Sequence, residues 1–356
     1  MPTIRWIEGE DMFGRWSGAW AELCGDAENA TPFQTVEWQR TWFGHFGGRK
    51  RPLALAAFEG DDLTGWWPLV RSTGSWPVLR PMGKGPSDYL HPIVRRGARG
   101  VGAAMANELR ESGSALVDLH QLRGDFAEAL LGHLSQPQHE PIPQAECLVL
   151  ELDQTYPAYV QGLGKSLRYD VRRLEKPPFT TGVARIELAS ETGVGQALES
   201  LFRLHAMRWR RRWQPGAFPA NLRRFHLEWA ALAQSKGWLE LSLLLLEGEP
   251  IGALYAMTLN GSTFYYQAGM DPAQNSISPG TLLVADAIRR AIERGDRRFD
   301  FLRGDEAYKR RWKPQHAYTN YRYVLPGSGA RSAVGARWNR MGSRIEAKVR
   351  ARLEAR

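Results

Sequence analysis

The spacing of apolar and polar positions divides the chain into short strands and amphipathic helices. In the first half this spacing predicts the order β, α, α, β, β, β, β, α, β, α, β, from a strand at 3–8 to a strand at 147–152. In the second half, a strand at 263–268 leads through a polar loop into a helix that begins at Pro279 and ends at Gly295. A short strand at 298–302 follows, and the mixture indicates an α+β protein.

The two halves of the chain repeat one plan. Residues 57–83 and 245–269 both read as strand, acidic glycine turn, strand, turn and strand. A length of 356 residues also exceeds what one hydrophobic core normally organises. We therefore predict two domains, at 1–153 and 154–326, followed by a basic amphipathic helix at 327–356.

Charge and cysteine content narrow the range of partners and of cellular settings. A net charge of +9 and a pI near 9.7 favour an anionic partner, such as coenzyme phosphates, tRNA, an acidic glycan or a lipid surface. The sequence shows neither a secretory signal nor an apolar span, and Cys24 and Cys147 lack CxxC partners. The eight histidines are scattered without metal-ligand spacing. We expect a cytoplasmic protein without a metal site.

The start of the helix at Pro279 is a candidate anion site. A helix N-terminus presents free backbone N–H groups and the positive end of its dipole, and it suits a pyrophosphate. Ser278, Gly280, Thr281 and Leu282 surround this start and are the predicted cofactor-binding residues. The alternative is a Ser-Pro-Gly sequence that only caps the helix.

Residues 265–312 carry a specific family resemblance. The strand, the turn DPAQNSISPGTLL, the helix and FDFLRGDEAYKRRW resemble the acyl-donor segment of the GNAT acyltransferase fold, and more closely the CelD/BcsL-type GNAT family, a relative of the FemABX aminoacyltransferases. PFQTVEWQRTWFGHFG, at 32–47, resembles the first signature of the same family. The resemblance implies tandem GNAT-like domains, each a mixed, mainly antiparallel sheet flanked by helices. It also implies acetyl-CoA or another acyl-CoA as co-substrate, bound in the second domain. The first domain has no Ser-Pro-Gly helix start, so we expect its donor site to be lost.

Asp88 and Tyr89 are candidate catalytic residues in the first domain. They lie in the glycine-containing loop MGKGPSDYLHPIV at 82–94, and the related family has a comparable "SDY" segment. An exposed carboxylate and an exposed phenol on a loop suit a general base and an acid that protonates the thiol. The alternative is a structural turn, in which Asp is common.

His205 and Arg208 are candidates on the predicted helix at 196–212. His205 falls in the apolar stripe of this helix and Arg208 flanks it, within a run that resembles the family's "LHxxRW" signature. We predict a catalytic role for His205 and substrate binding by Arg208. A hydrogen-bonded core histidine is the alternative.

The motif RGDEAYKRRW supplies the remaining candidates. It places Arg303, Asp305, Tyr308 and Lys309 after the carboxyl end of a strand, where sites of α/β folds tend to lie. We predict that Asp305 orients or deprotonates the nucleophile and that the other three bind substrate. The alternative is an ion-pair network that only ties the strand end to the next helix.

Three functions remain open on the sequence. The first is a GNAT acyltransferase that moves an acyl group, such as acetyl, to an amine or hydroxyl of a small molecule or glycan, with a link to exopolysaccharide or cell-envelope synthesis. The second is a FemABX-like transferase dependent on aminoacyl-tRNA, in which a basic helix face of Lys165, Arg168, Arg172 and Lys176 contacts RNA. The third is a non-catalytic subunit of a polysaccharide synthesis complex. The tail at 327–356 suggests contact with an anionic inner-membrane surface.

Overall fold

The computed structural model describes residues 2–134, 140–210 and 218–327. The chain forms two compact units: unit 1 holds residues up to 145 and from 318 onward, and unit 2 holds residues 146–317. The elements, in chain order, are β1 (Thr3–Glu8), α1 (Ser17–Asp26), α2 (Val36–Phe46), β2 (Arg51–Glu59), β3 (Asp62–Arg71), β4 (Val78–Pro81), β5 (Ile93–Val94), α3 (Val101–Arg110), β6 (Leu116–Arg123), α4 (Gly124–Leu134), β7 (Ile142–Glu151), α5 (Tyr156–Gly162), α6 (Lys165–Val171), β8 (Ala184–Leu188), α7 (Ala189–Thr192), α8 (Val194–Arg210), α9 (Ala220–Ser235), β9 (Leu239–Leu246), β10 (Glu249–Leu259), β11 (Ser262–Met270), α10 (Pro279–Arg294), β12 (Arg298–Arg303), α11 (Ala307–Arg310) and β13 (His316–Pro326).

Unit 1 is a sheet covered by helices on both faces. Its strand order is β1-β2-β3-β4-β6-β13, with β5 paired to β3, and every pair is antiparallel except β4 with β6. Trp66 and Trp67 are consecutive on β3 and therefore face opposite sides. Trp67 joins the core beneath α3 and α4, whereas Trp66 packs against Trp20 of α1. Both sides of the sheet are thereby buried.

Unit 2 has the same arrangement, with the order β7-β12-β11-β10-β9-β8. Its strands pair antiparallel except β11 with β12, which are parallel. The buried side of α10, with α5 and α6, forms the main core on one face, and α8 lies against β11 on the other face. The predicted α+β fold of mixed, mainly antiparallel sheets is confirmed. The predicted domain division between residues 153 and 154 stays a prediction.

The predicted order of elements in the first half is confirmed, from β1 to β7. Helices α5 and α9 were not predicted. The predicted basic helix at 327–356 lies outside the described residues, except for Gly327. Within the part of the chain that is described, no helix is both long and apolar enough to cross a membrane.

Gly269 allows α8 to approach β11 closely, and its replacement by alanine is expected to destabilise unit 2. A Cβ at this position would lie 2.5 Å from the backbone nitrogen of His205, which cannot move without shifting the helix. Overpacking of this kind typically costs about 1–3 kcal/mol. Urea unfolding of Gly269→Ala measures the loss.

Gly132→Ala is the matched control for this substitution. Gly132 lies in α4 with nothing within 4 Å of an added Cβ. Because alanine favours helix over glycine by up to about 1 kcal/mol, this variant is expected to be as stable as the parent or more stable. Equal stability of the two variants would show that the contact between α8 and β11 relaxes freely.

Candidate active site

The two parallel strands of unit 2 pair only at their beginnings. Ser262, Thr263 and Phe264 of β11 pair with residues 298–300 of β12, and no register continues beyond them although β11 runs to Met270. We call the stretch beyond Phe264 and Asp300, where this register does not continue, the unit 2 divergence. There β12 no longer pairs with the edge of β11 that faces away from β10.

A turn carries the chain from β11 to the start of α10. Asp271 accepts a hydrogen bond from the Ala273 N–H at 2.9 Å, which fixes a short 3-10 turn at Pro272–Gln274. Ser278 then adopts a left-handed conformation, with φ of 58°, and Pro279 begins the helix. Gly295, with φ of 85°, ends it, as predicted. The start of α10 therefore follows directly from the end of β11.

Fewer amides are free at this helix start than the sequence suggested. The N–H groups of Thr281 and Leu282 both donate to the Ser278 carbonyl, at 3.0 and 3.2 Å, and Pro279 has none. The Gly280 N–H has no hydrogen bond among the described residues. The Ser278 hydroxyl is 3.4 Å from the Asn275 carbonyl, and the Leu282 side chain is fully buried. Gly280 and the helix dipole thus remain for an anion, and the roles of the four residues in cofactor binding stay predictions.

Unit 1 has a similar divergence that its own loop occupies. Strands β4 and β6 pair at only two positions, Val78 with Leu116 and Leu79 with Val117. The loop after β4 then bonds to β6, because the Leu90 N–H donates to the Gln121 carbonyl at 2.8 Å. The loss of the donor site in the first domain stays a prediction.

Comparison with known proteins finds a family model that is similar to part of this chain. Residues 165–310 match the family model for an acetyltransferase (GNAT) domain. The chain has a tandem GNAT-like fold. The matched segment includes β11, α10 and β12, so the unit 2 divergence belongs to the GNAT-like unit that the family model recognises.

Solved structures show the same fold across nearly the whole chain. The chain resembles FemX with a TM-score of 0.67 at 11% identity, covering 87% of this chain and 96% of FemX. It resembles the C-terminal domain of a putative lysylphosphatidylglycerol synthetase from Agrobacterium fabrum with a TM-score of 0.55 at 11% identity, covering 91% and 94%. It resembles L-PGS from Bacillus licheniformis with a TM-score of 0.51 at 14% identity, covering 85% of this chain and 96% of L-PGS. These identities establish the fold alone. No curated protein matches the chain significantly.

The end of β12 in the GNAT-like unit 2 brings several predicted residues together. Lys309 is almost fully buried, and its Nζ donates to the carbonyls of Arg303 and Gly304, at 2.7 and 3.2 Å, and to the Glu306 carboxylate at 2.9 Å. Lys309 therefore caps the strand end, which is the alternative role given above. These three groups hold its ammonium, and substrate binding by Lys309 stays a prediction.

The other residues of the motif remain near the surface. Asp305 is exposed and forms an ion pair with Arg310, and Arg303 is partly buried. The Tyr308 hydroxyl lies 3.5 Å from the Tyr265 hydroxyl of β11. Tyr308 thus joins α11 to the divergent part of β11. The catalytic role of Asp305 and the substrate contacts of Arg303 and Tyr308 stay predictions.

His205 is buried, as its position in the apolar stripe predicts. Its ring packs edge-on against Phe218, with centroids 5.2 Å apart. Arg208 lies in α8, but its side chain is outside the described part of the structure. The catalytic role of His205 and the substrate-binding role of Arg208 stay predictions.

A second histidine on this face was missed. His226 of α9 is fully buried, and its Nε2 is 3.3 Å from the hydroxyl of Tyr266 on β11. Burial lowers the pKa of His226 to about 3, so its ring is neutral near pH 7. The sequence signal was the spacing of Phe225, His226 and Trp229 along one helix face.

The expectation that Asp88 and Tyr89 are exposed is wrong. Asp88 is buried, and Tyr89 is fully buried beneath the Arg123 guanidinium, 5.2 Å from the ring centroid. Side chains distant in sequence hold the loop in place: Trp38 Nε1 donates to Ser87 Oγ, and loop carbonyls accept from Gln39 (at Met82), Trp42 (at Lys84), Trp67 (at Leu90) and Asn320 (at Asp88). A buried phenol cannot reach a thiol in solvent, so the role proposed for Tyr89 loses its physical basis.

Among the described residues, no group of three or more His, Cys, Asp and Glu side chains is arranged to hold a metal ion. Cys24 and Cys147 are both buried and unbridged. Burial raises the pKa of Cys24 well above its ordinary value, so this thiol is not a nucleophile near neutral pH.

Proposed function

We propose that unit 2 is an acyltransferase that moves an acyl group, such as acetyl, from a coenzyme A thioester to an amine or hydroxyl. The observation that carries this proposal is the divergence of β11 from β12 beside the start of α10, within the segment that matches a GNAT domain. The diphosphate of the donor binds at the start of α10. Its thioester lies along the unpaired edge of β11.

The residues present suit direct attack on the thioester. The acceptor nitrogen or oxygen bonds to the carbonyl carbon, the C–S bond breaks, and the thiolate leaves with a proton that the acceptor has released. A backbone N–H of β11 beyond Phe264 donates to the carbonyl oxygen as negative charge develops on it. The exposed carboxylate of Asp305 and the hydroxyl of Tyr308 lie at the neighbouring end of β12, where we place the acceptor.

Thr281→Glu is expected to weaken binding of acetyl-CoA by about 10- to 100-fold, because a carboxylate in the first turn of α10 repels the diphosphate. Thr281→Gln, of equal size and neutral, is expected to bind as the parent does. A carboxylate at a helix N-terminus favours the helix, so both variants should fold. Titration calorimetry measures the affinities. Equal binding by the two variants would show that the diphosphate does not bind at the start of α10.

A second candidate function is transfer from aminoacyl-tRNA, and two observations favour it. Pro279 offers no N–H, and residues 271–281 contain no lysine or arginine to bind a diphosphate. Part of the predicted basic face remains at α6: Lys165 at its start, and Arg172 and Lys176 beyond its end, are exposed, while Leu167 and Val171 are buried. Tyr169 lies among these cations with 67% of its surface exposed. Exposed cations with an aromatic ring suit phosphates and unpaired bases.

The basic face of α6 has a direct test. We change Lys165, Arg172 and Lys176 together to Gln. In a plot of the logarithm of the tRNA binding constant against the logarithm of salt concentration, the slope is expected to become less steep by about 2–3. The matched control changes three exposed arginines of unit 1, Arg49, Arg51 and Arg99, to Gln. Equal salt dependence in both triple variants would exclude this face as the RNA contact. Binding of acetyl-CoA without tRNA binding would leave the first function standing.

We further propose an acceptor in exopolysaccharide or cell-envelope synthesis, because residues 265–312 resemble the CelD/BcsL-type family. A coenzyme A donor and two unbridged cysteines favour the cytoplasm. Acetyl-CoA hydrolysis or transfer measured with amino sugars as acceptors tests the enzyme. Failure to bind either donor would favour a non-catalytic subunit of a synthesis complex.

A further inference from the structure

A polar cluster in unit 1 lies outside the site described above. Asp118 of β6 is its centre, with 1% of its side chain exposed. It accepts hydrogen bonds from Arg80 Nε at 3.1 Å and Arg322 Nε at 2.7 Å, and His120 Nε2 lies 3.0 Å from its Oδ1. Three cationic or titratable side chains thus converge on one carboxylate. We call these four residues the Asp118 cluster.

Successive side chains of β6 point to opposite faces of the sheet, which explains why this cluster forms. Val117 and Leu119 belong to the core beneath α3 and α4, so Asp118 and His120 face the other side of the sheet. Arg80 reaches Asp118 from β4 and Arg322 reaches it from β13. The β4–β6 register ends at Val117, so the cluster lies at the unit 1 divergence.

Two members of the cluster retain unused hydrogen-bonding capacity. Arg80 has no hydrogen bond or ion pair with the described residues beyond that to Asp118, so its Nη1 and Nη2 groups remain available. Its side chain is 30% exposed. His120 has only 9% of its side chain exposed, and its Nδ1 has no partner in the described part of the chain. Nδ1 is not fully enclosed, so water or a ligand can reach it.

Positive charge exceeds negative charge around the cluster. Burial would raise the pKa of Asp118, but His120 and Arg322 hold it well below its usual range, so the carboxylate stays ionised. Burial lowers the pKa of His120 against the pull of Asp118, and the charges of Lys84 and Arg322 lower it further. Two arginines therefore contact one carboxylate, with the His120 imidazole beside them. That balance favours a dianion over a singly charged carboxylate.

We propose that the Asp118 cluster binds a phosphate-bearing small molecule. The two Nη groups of Arg80 donate to phosphate oxygens as a fork, the geometry in which guanidinium binds phosphate best. His120 Nδ1 accepts a hydrogen bond from a hydroxyl or a protonated phosphate oxygen of the ligand. Asp118 positions both side chains and does not touch the ligand. The site belongs to unit 1 and does not depend on the function proposed for unit 2.

Titration of the full chain with inorganic phosphate and with phenyl phosphate tests this site. Imidazole signals in nitrogen–proton correlation spectra report the binding, and His120→Gln identifies the His120 signal. We expect a saturable shift of that signal, with Arg80→Met weakening the binding by about tenfold or more. Arg51→Met, which removes an exposed arginine of β2, is expected to leave it unchanged.

Each outcome of this titration decides a different point. A tighter response to phenyl phosphate than to inorganic phosphate would indicate an ester as the ligand, and the reverse would indicate the free ion. Absence of a saturable shift, or equal binding by Arg80→Met and Arg51→Met, would overturn the proposal. Acetate binding as tightly as phosphate would overturn the ligand class. If thermal melting shows that Arg80→Met is unfolded, Arg80→Lys replaces it, because lysine keeps the charge but lacks the forked pair of donors, and the binding is again expected to weaken.

Discussion

Replacing Asp118 with alanine is expected to destabilise unit 1 by about 3–5 kcal/mol, the usual cost of leaving buried charges without their partner. The Arg322 side chain is only 8% exposed, and Asp118 is the carboxylate that its Nε contacts. Arg80, with 30% of its side chain exposed, loses the same partner. Arg322 cannot reach water without disturbing β13. The charge of Arg322 therefore determines most of the loss.

Urea unfolding followed by tryptophan fluorescence measures this effect. The control is Asp26→Ala, because Asp26 pairs with Arg95 at 3.5 Å with 49% of its side chain exposed, and such pairs contribute about 0–1 kcal/mol. Adding Arg322→Met to Asp118→Ala should recover part of the loss by removing the unpaired charge. If Asp118→Ala costs no more than Asp26→Ala, the cluster is not the buried ion network that the geometry indicates.

Elements with strong local signals were predictable from the sequence. Helix α10 was predicted from Pro279 to Gly295, and it runs from Pro279 to Arg294 with Gly295 as its C-cap. A proline at the first position, a regular apolar stripe and a terminal glycine all act within a few residues. Such signals need no knowledge of the rest of the fold.

Helix α9 was missed because several of its buried residues are only weakly hydrophobic. Its buried residues are Phe225, His226, Trp229, Ala230 and Ala233. A histidine and two alanines contribute little apolar contrast, so the helical period is hard to distinguish from a loop. Contacts with the sheet stabilise the helix instead.

The candidate residues were less predictable than the fold because their environment comes from distant parts of the chain. The glycine-containing loop at 82–91 reads as an exposed turn, yet most of it is buried. Trp67 and Asn320 donate to its backbone carbonyls and Trp38 donates to its Ser87 hydroxyl. Lys309 reads as a free cation, yet it caps the end of β12. Hydrogen bonds between residues far apart in sequence leave no local spacing pattern.

One sequence signal was available and not used. The four residues Leu-Arg-Gly-Asp occur twice, ending β6 at 122–125 and β12 at 302–305, and each strand also contains a residue with positive φ, Gln121 or Leu302. This repeat would have aligned the two units. It would also have extended the strand predicted at 115–119 through His120, where every residue of β6 is buried. Asp118 and His120 would then have appeared as buried polar residues that require partners.

Acidification from about pH 7 to about pH 4.5 is expected to destabilise both units, because each holds buried histidines with a lowered pKa. Burial lowers the pKa of His91 in unit 1 from an ordinary 6.5 to about 4, and that of His226 in unit 2 to about 3. Below pH 6.5 the histidine is protonated in the unfolded chain. In the folded unit it stays neutral until the pH reaches its lower folded-state pKa. Stability is therefore greatest above pH 6.5 and falls as the pH approaches 4. Each histidine contributes a loss of up to about 3 kcal/mol at pH 4.

Urea unfolding at several pH values between about 7 and 4.5 separates the histidines from the carboxylates, because a carboxylate such as Asp118 with a lowered pKa does not titrate in this window. His91→Gln and His226→Gln should each flatten the pH dependence, since glutamine cannot bind the proton. His133→Gln, at an exposed position of α4, should keep the parent's slope. If all three variants lose stability in parallel with the parent, protonation of other groups drives the acid transition and the two buried imidazoles are not held neutral by the fold.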